Sequence, residues 1–336
     1  MKPRGGSEKK GGRKKASCEV VAAVKAAVRD YTAGSPVEEG RLWTNRSPRE
    51  IAEELQLGGL SIGTDTVRRI LTDDLDLGLR RALKDEATSD CPFRDEQFEH
   101  IAELRRWYTA RHCPVLSIDT KKKELLGDFF RPGRAYTDEV LHVLDHDFPS
   151  HGQGRLVPYG VYDVTRNEGF MLLSVGPDTS ELACDAVGRW WQRLGRTRYT
   201  HALGMLLLCD CGGSNGNRQN LFKEDLHRLV ERLQLPIRVA HYPPGCSKYN
   251  PIEHRMFCHV TRAMQGAVIK TVAMAREFIS RTSTSTGLHV VVEIARKVYR
   301  RGRQVTRAFL DNMPLNFDNV LPTLNYTAPT FPYYLH

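Results

Sequence analysis

Apolar positions first recur along the chain at helical spacing. Over Cys18 to Tyr31, the residues Val20, Val21, Val24, Ala27 and Val28 mark one face, which predicts an opening helix. After a loop containing Gly34, Pro36 and Gly40, Ser47 stands where a helix cap belongs and Pro48 at a first helical position, and Ile51, Ala52 and Leu55 form a stripe. The glycines between Leu57 and Gly63 break that helix. Thr64 to Leu71 begins the next one, with Val67, Ile70 and Leu71 inward and Arg68 and Arg69 outward. Two helices around a short turn make a helix-turn-helix, whose second helix can enter a DNA major groove. Taken alone, the segment also reads as two packed helices with no such role. A polar connector with Asp85, Glu86 and Ser89 leads to a further helix, Glu96 to Trp107.

At His112 the period changes from helical to strand-like. Pro114 to Asp119 is a short apolar run ending in a carboxylate, and Leu156 to Val164 and Phe170 to Val175 read as two more strands joined by the turn Thr165 to Gly169. Glu181 to Leu194 is helical, with Leu182, Ala186, Trp190 and Leu194 on one face. Then come a strand at Leu203 to Asp210, a helix at Arg218 to Leu233 and a strand at Ile237 to Tyr242. Last is a helix at Asn250 to Gln265 striped by Ile252, Met256, Val260 and Met264. Three strands followed by alternating helices and strands predict a mixed α/β domain behind an all-α region.

Composition narrows the class. With 336 residues, 40% hydrophobic and 26% charged, the chain suits a folded protein of two or three domains. The longest apolar run, Leu203 to Cys209, is too short to span a bilayer, and the basic N-terminus has no hydrophobic region behind it. No membrane role is expected. Eight cysteines without a CxxC pair argue against a zinc knuckle or disulfide framework and for a reducing cytoplasm. The net charge of +9 is unevenly placed: residues 1 to 17 carry +6, residues 281 to 310 carry +6, and residues 18 to 280 come to −1. The first of these segments reads either as a solvated tail or as an arm that grips phosphates.

The candidate chemistry lies in carboxylates. Asp119 and Asp210 end two strands and Glu253 starts the last long helix. In an open α/β sheet, ligands collect outside the carboxyl ends of strands, so adjacent parallel strands would bring the two aspartates to one crevice, and a returning helix could add Glu253. Each also has an ordinary meaning: a strand-terminal Asp is often a turn residue, and Glu253 fits a capping box with Asn250 as cap. Asp163 also ends a strand but runs into the hairpin turn, at the opposite edge. Three carboxylates without basic partners would repel and invite magnesium or manganese, and two such ions can activate a nucleophile at a phosphodiester and steady the leaving oxygen. Beside Asp210 lies Cys211-Gly212-Gly213-Ser214-Asn215-Gly216, which lacks the Lys-Ser/Thr of a nucleotide-binding loop. Lys121, Lys122 and Lys123 follow Asp119 and read either as phosphate contacts or as a solvated charge run.

These blocks resemble a known family. The strand Ser117 to Glu124, Pro158 to Asp163 with Arg166 to Gly169, and the Arg189-Trp190-Trp191 helix are similar to the Rhodopirellula-type DDE transposases of bacterial insertion sequences. So are Asp210 with Gly212 to Gly216, Pro243 to Lys248 with Ile252 to Arg255, and Thr284 to Leu288. Cys211 stands where the family pattern has glycine, and Arg296 to Arg307 matches no family pattern. The resemblance implies an RNase H-like mixed sheet with flanking helices behind the helix-turn-helix, and Asp119, Asp210 and Glu253 as catalytic and metal-binding triad. It also implies two Mg2+ or Mn2+ ions per site and a transposase that cuts element ends and joins their 3′-hydroxyl to target DNA. Expected DNA contacts are Arg68, Arg69, Lys121, Lys122, Lys123, Lys248, His254 and Arg255. The expected partners are terminal inverted repeats, target DNA and a second copy of the chain on DNA, at the cytoplasmic nucleoid. A catalytically dead DNA-binding derivative and a stand-alone nuclease are the alternatives. The expected division is a tail at 1–17, the helix-turn-helix at 18–85, a connector helix at 86–112, the catalytic domain at 113–287 and a C-terminal extension at 288–336.

Overall fold

The computed structural model describes residues 16–29, 32–34, 42–80, 93–145, 150 and 152–330. The basic tail, apart from its last two residues, and the polar connector around Asp85 to Ser89 lie outside them. The chain forms two compact units, Met1–Asp85 and Glu86–His336.

The first unit holds helix α1 (Cys18–Arg29), a two-stranded ribbon of β1 (Thr32–Gly34) and β2 (Leu42–Thr44), and helices α2 (Pro48–Leu57) and α3 (Thr64–Arg69), the last extended by one wide turn, Ile70–Asp74. Ser47 caps α2 reciprocally with Glu50: the hydroxyl accepts from the Glu50 amide at 3.2 Å, and the Glu50 carboxylate accepts from the Ser47 amide at 2.7 Å. Val24 and Val28 pack with Ile51, Ala52, Ile62, Val67, Ile70 and Leu71 in one small core. The turn between α2 and α3 is held by Gln56, whose side-chain amide donates to the Ile62 carbonyl at 2.7 Å.

The second unit opens with α4 (Arg94–Ala110) and is built on one mixed sheet. Its strands are β3 (Val115–Thr120), β4 (Glu124–Leu126), β5 (Gly154–Asp163), β6 (Glu168–Val175), β7 (Met205–Cys209), β8 (Ile237–His241), β9 (His289–Ile294), β10 (Asn316–Phe317) and β11 (Asn325–Ala328). The spatial order is β10-β11-β8-β7-β3-β5-β6-β9, with β4 paired to β5. Strands β3, β5 and β6 form an antiparallel meander, and β7 and β8 lie parallel to β3 on its other side. That is the RNase H-like arrangement. The stretch after residue 287 adds β9 parallel to β6 at one end of the sheet, and at the other β11 antiparallel to β8 with β10 outside it.

Both faces are covered, which explains why the central strands are apolar without alternation. Met205, Leu207 and Cys209 of β7 face one core with α5 (Ser180–Trp190) and α7 (Asn220–Leu233), while Leu206 and Leu208 face α4. On β6, Phe170 and Leu172 join the first core, whereas Met171 and Leu173 meet Ile252, Met256 and Val260 and α9 (Val272–Ser280). The remaining helices are α6 (Arg196–Arg198), α8 (Cys258–Ala263) and α10 (Arg307–Asn312). Among the described residues no helix is long and apolar enough to cross a membrane.

Two local expectations change. Leu203 is exposed and β7 starts at Met205. The helix expected over Asn250 to Gln265 is interrupted by a wide turn at Glu253–Phe257 before α8, although its stripe of Ile252, Met256, Val260 and Met264 is buried throughout. This turn lies flat on the sheet because β5 has no side chain at Gly160, which pairs with Asp119. A Cβ there would stand 2.5 Å from Phe257, 2.8 Å from Ile252 and 2.9 Å from Met256. Gly160→Ala is therefore expected to lower stability by about 1–3 kcal/mol by overpacking, measured by chemical denaturation, and unchanged stability would show that the turn is free to lift.

Candidate active site

The parallel pairing of β3 with β7 runs through Val115–Leu206, Leu116–Leu207 and Ser117–Leu208. Continued by two residues, this register sets Asp119 beside Asp210, the residue that follows β7. Both carboxylates thus stand at the carboxyl ends of adjacent parallel strands, half-buried. Asp163, by contrast, pairs with Leu116 at the other end of the sheet. It is fully buried and takes hydrogen bonds from the Tyr199 hydroxyl at 2.6 Å and the Thr165 and Arg166 amides.

Glu253 reaches the pair through a buried polar relay. Ser117, on the same face of β3 as Asp119, donates its hydroxyl to the Asn250 side-chain carbonyl and accepts the Ile252 amide at 2.9 Å. The Asn250 amide nitrogen donates to Asp210 Oδ1 at 3.0 Å and to the Ile118 carbonyl at 3.4 Å. Asn250 therefore does not cap the helix with its side chain, as the capping-box reading expects. It is fully buried and clamps β3, β7 and the Glu253 turn together. Glu253 itself is exposed, and its carboxyl shares a hydrogen bond with Asp119.

The electrostatics follow from this crowding. Burial, then the Asp210 and Glu253 charges, push the Asp119 carboxyl up to about 8, against the pull of the Thr120 amide, which donates to its Oδ1 at 2.7 Å. Burial and Glu253 raise Asp210 to about 6, opposed by the Asn250 hydrogen bond. A hard divalent cation relieves that repulsion, so the donor set suits magnesium or manganese. Among the described residues no three His, Cys, Asp or Glu side chains stand close enough together to hold a metal ion as they are placed. The exposed Glu253 is the member with room to adjust.

Behind Asp210, His241 is fully buried, with Nδ1 2.9 Å from the Asp210 carbonyl and Nε2 3.2 Å from the Tyr326 hydroxyl. Burial lowers it to about 4, so it is neutral and props the end of β7. A surface cavity of about 290 Å³ is lined by Asp119, Lys121, Lys122, Lys123, Gly213 and Ser214 among others. A fourth carboxylate, Asp178, lies on its wall and accepts from the Thr120 hydroxyl at 3.1 Å and the Ser214 hydroxyl at 2.8 Å. Sequence reasoning did not find Asp178, and no local signal marks it, because these partners lie 58 and 36 residues away.

The other expected contacts are scattered. Lys121 is buried, 3.0 Å from Glu124, whereas Lys122 is exposed and Lys123 lies 3.3 Å from Asp178. Lys248 is exposed, over the Tyr249 ring at 5.1 Å. His254 is exposed, and Arg255 reaches the Tyr162 hydroxyl. In the first unit, Arg68 is exposed and paired to Asp65, and Arg69 is partly buried.

Comparison with known proteins supplies the family. Among curated proteins none matches the chain. Solved structures with a similar outline include the Mos1 transposase paired-end complex with left transposon end, at TM-score 0.40 and 12% identity over 82% of this chain and 73% of that one. The Mos1 mariner paired end complex with Mn gives 0.42 and 12% over the same shares. The Mos1 strand transfer complex gives 0.41 and 11%, over 82% and 72%. Likeness at this level carries no argument about function. The family model described as the Rhodopirellula transposase DDE domain matches residues 23–330, and with nearly the whole chain so covered, the protein belongs to that family and is a DDE-type transposase.

Proposed function

We propose that Asp119, Asp210 and Glu253 are the catalytic carboxylates and that they hold divalent cations, Mg2+ or Mn2+, two per site. In this reading the chain cuts DNA at the ends of its element and joins the freed 3′-hydroxyl to target DNA. The observation that carries this is the meeting of the three carboxylates at the ends of β3 and β7, where burial and then the neighbouring carboxylates push Asp119 up to about 8. Bound there, the cations supply Lewis-acid activation of the attacking oxygen and charge neutralisation at the leaving oxygen.

The chain's own groups do the positioning. The Thr120 amide and Asn250 fix one oxygen each of Asp119 and Asp210. Glu253, on a turn pinned by Ser117 and Gly160, closes the third side. Lys122, Lys123, Lys248, His254 and Arg255 contact the DNA backbone around the site. In the first unit, 18–85, α3 presents Arg68 and Arg69 to the terminal repeat as the second helix of a helix-turn-helix. Residues 86–112 connect this unit to the catalytic domain at 113–287. Residues 1–17 act as a phosphate-gripping arm, and 288–336 is an extension of the catalytic domain. Two copies act on a pair of ends, at the nucleoid.

The assay is incubation with oligonucleotide DNA carrying the element's ends and a target plasmid, with Mg2+ or Mn2+. A nicked end together with a joined product supports the reading, and nicking without joining reduces the protein to a nuclease. Asn250→Ala tests the relay in the same assay. The cation concentration for half-maximal cleavage should rise about 10- to 100-fold, as when a group orienting a metal ligand is lost. An unchanged cation requirement would make Asn250 a packing residue only.

A further inference from the structure

The stretch after β9 is the second concentration of positive charge, and its cations fall into two groups. Lys297 Nζ lies 2.7 Å from Glu181 and 3.2 Å from Asp185, and the Tyr299 hydroxyl donates to Asp185 at 3.1 Å. Arg303 binds Asp225 through two nitrogens at 3.1 and 2.7 Å, and the Thr306 hydroxyl donates to Glu224 at 2.8 Å. These partners all belong to α5 and α7, so the segment is tethered before and after its middle. Between the tethers, Arg300 and Arg301 are exposed and have no ion pair among the described residues. Gly302, at φ +84°, turns the chain back toward the second tether, a conformation a side chain would strain.

Arg300 and Arg301 meet Arg155 of β5 and Lys123 around a surface groove of about 460 Å³, completed by Gly176 and Pro177, with no carboxylate in its lining. Arg155 also lacks an ion pair among the described residues. Lys123 belongs equally to the cavity that Asp119 lines, so the groove adjoins that cavity. Lys123 is held by Asp178 at 3.3 Å, but Arg155, Arg300 and Arg301 are gathered without an ion partner among the described residues and repel one another, and a tethered loop that holds two of them in place suits a polyanion. Guanidinium groups match phosphate oxygens in pairs.

We propose that this groove is a sugar–phosphate track that carries a DNA strand into the carboxylate site irrespective of base sequence. The proposal rests on the reaction above for its substrate. It gives a role to the Arg296 to Arg307 segment, for which the family resemblance supplies none.

The test is equilibrium binding of the full chain to a fluorescent duplex of arbitrary sequence, across a range of NaCl concentrations with EDTA present. For Arg300→Ala/Arg301→Ala, the slope of log affinity against log salt should shrink by about two, with affinity at 100 mM salt down at least about tenfold. Arg155→Gln should shrink the slope by about one. Arg300→Lys/Arg301→Lys should keep the parental slope. Parental slopes in both charge-removing variants would overturn the track. Because no free divalent cation is present, the outcome is independent of the chemistry. Retained cleavage by an Asp119 variant would sink the reaction without touching the groove, and unchanged salt slopes would do the reverse.

Discussion

Asp119→Asn is expected to lower cleavage of element-end DNA by at least about a thousandfold, because metal-ion stabilisation of a phosphoryl-transfer transition state is worth several kcal/mol. The substitution keeps the shape and the Thr120 contact, since an amide oxygen still accepts from that backbone N–H. It removes the charge on which a cation depends. Asp119 is the most perturbed of the three carboxyls and the one flanked by both others, so no neighbour can take over its place. The same variant should be more stable than the parent at pH 8 without divalent cation, because it removes a buried carboxylate held against two like charges. Lost activity with gained stability separates a catalytic group from a structural one, which would lose both. Parental cleavage rates in Asp119→Asn would end the assignment.

The second large effect is cation-dependent stability, and its sign follows from the same groups. Asp119 and Asp210 titrate at about 8 and about 6 in the folded protein, against an ordinary value of 3.8. Between pH 4 and pH 8 the folded chain therefore holds more protons at these positions than the unfolded chain. Their contribution is complete below pH 4 and is lost as the pH rises through 6 and then 8. A divalent cation replaces those protons, so its stabilising effect should grow over the same interval. At a hundred times its dissociation constant it contributes about 2.7 kcal/mol, or roughly 5–10 °C in Tm for a unit of this size. Thermal unfolding with MgCl2 or EDTA at pH 6 and pH 8.5 measures this. A Mg2+ shift that is equal at both pH values, or that persists in Asp119→Asn, would contradict a carboxylate cation site.

Much of the site could be read in the sequence because its two aspartates are placed by strand ends, and strand ends are local features. A run such as Met205 to Cys209, with charge only at its end, announces both a doubly covered strand and the position of Asp210. What remained hidden depends on partners that only the sheet brings together. Asn250 looks like a helix cap because it precedes Pro251 and Glu253. Its side chain instead bonds Ser117, 133 residues away, and Asp210, 40 residues away. A local pattern cannot rank a nearby amide against a distant carboxylate. The wide turn at Glu253 has the same cause: the apolar stripe predicts helix, but contact with the bare face at Gly160 decides how the helix is wound. Strand β9 escaped notice because it lies in a stretch read first for its charge, and β10 and β11 because two and four residues carry little periodicity.

The hydrogen bond between His241 and Tyr326 joins residues 85 positions apart, and β11 is the last strand of the sheet to leave the ribosome. Long-range pairings of this kind form late. The support behind Asp210 is therefore assembled only after the Arg300–Arg301 loop and both of its tethers have been synthesised. On the proposed reading, the residues of the phosphate groove are thus complete in the nascent chain before the brace behind Asp210.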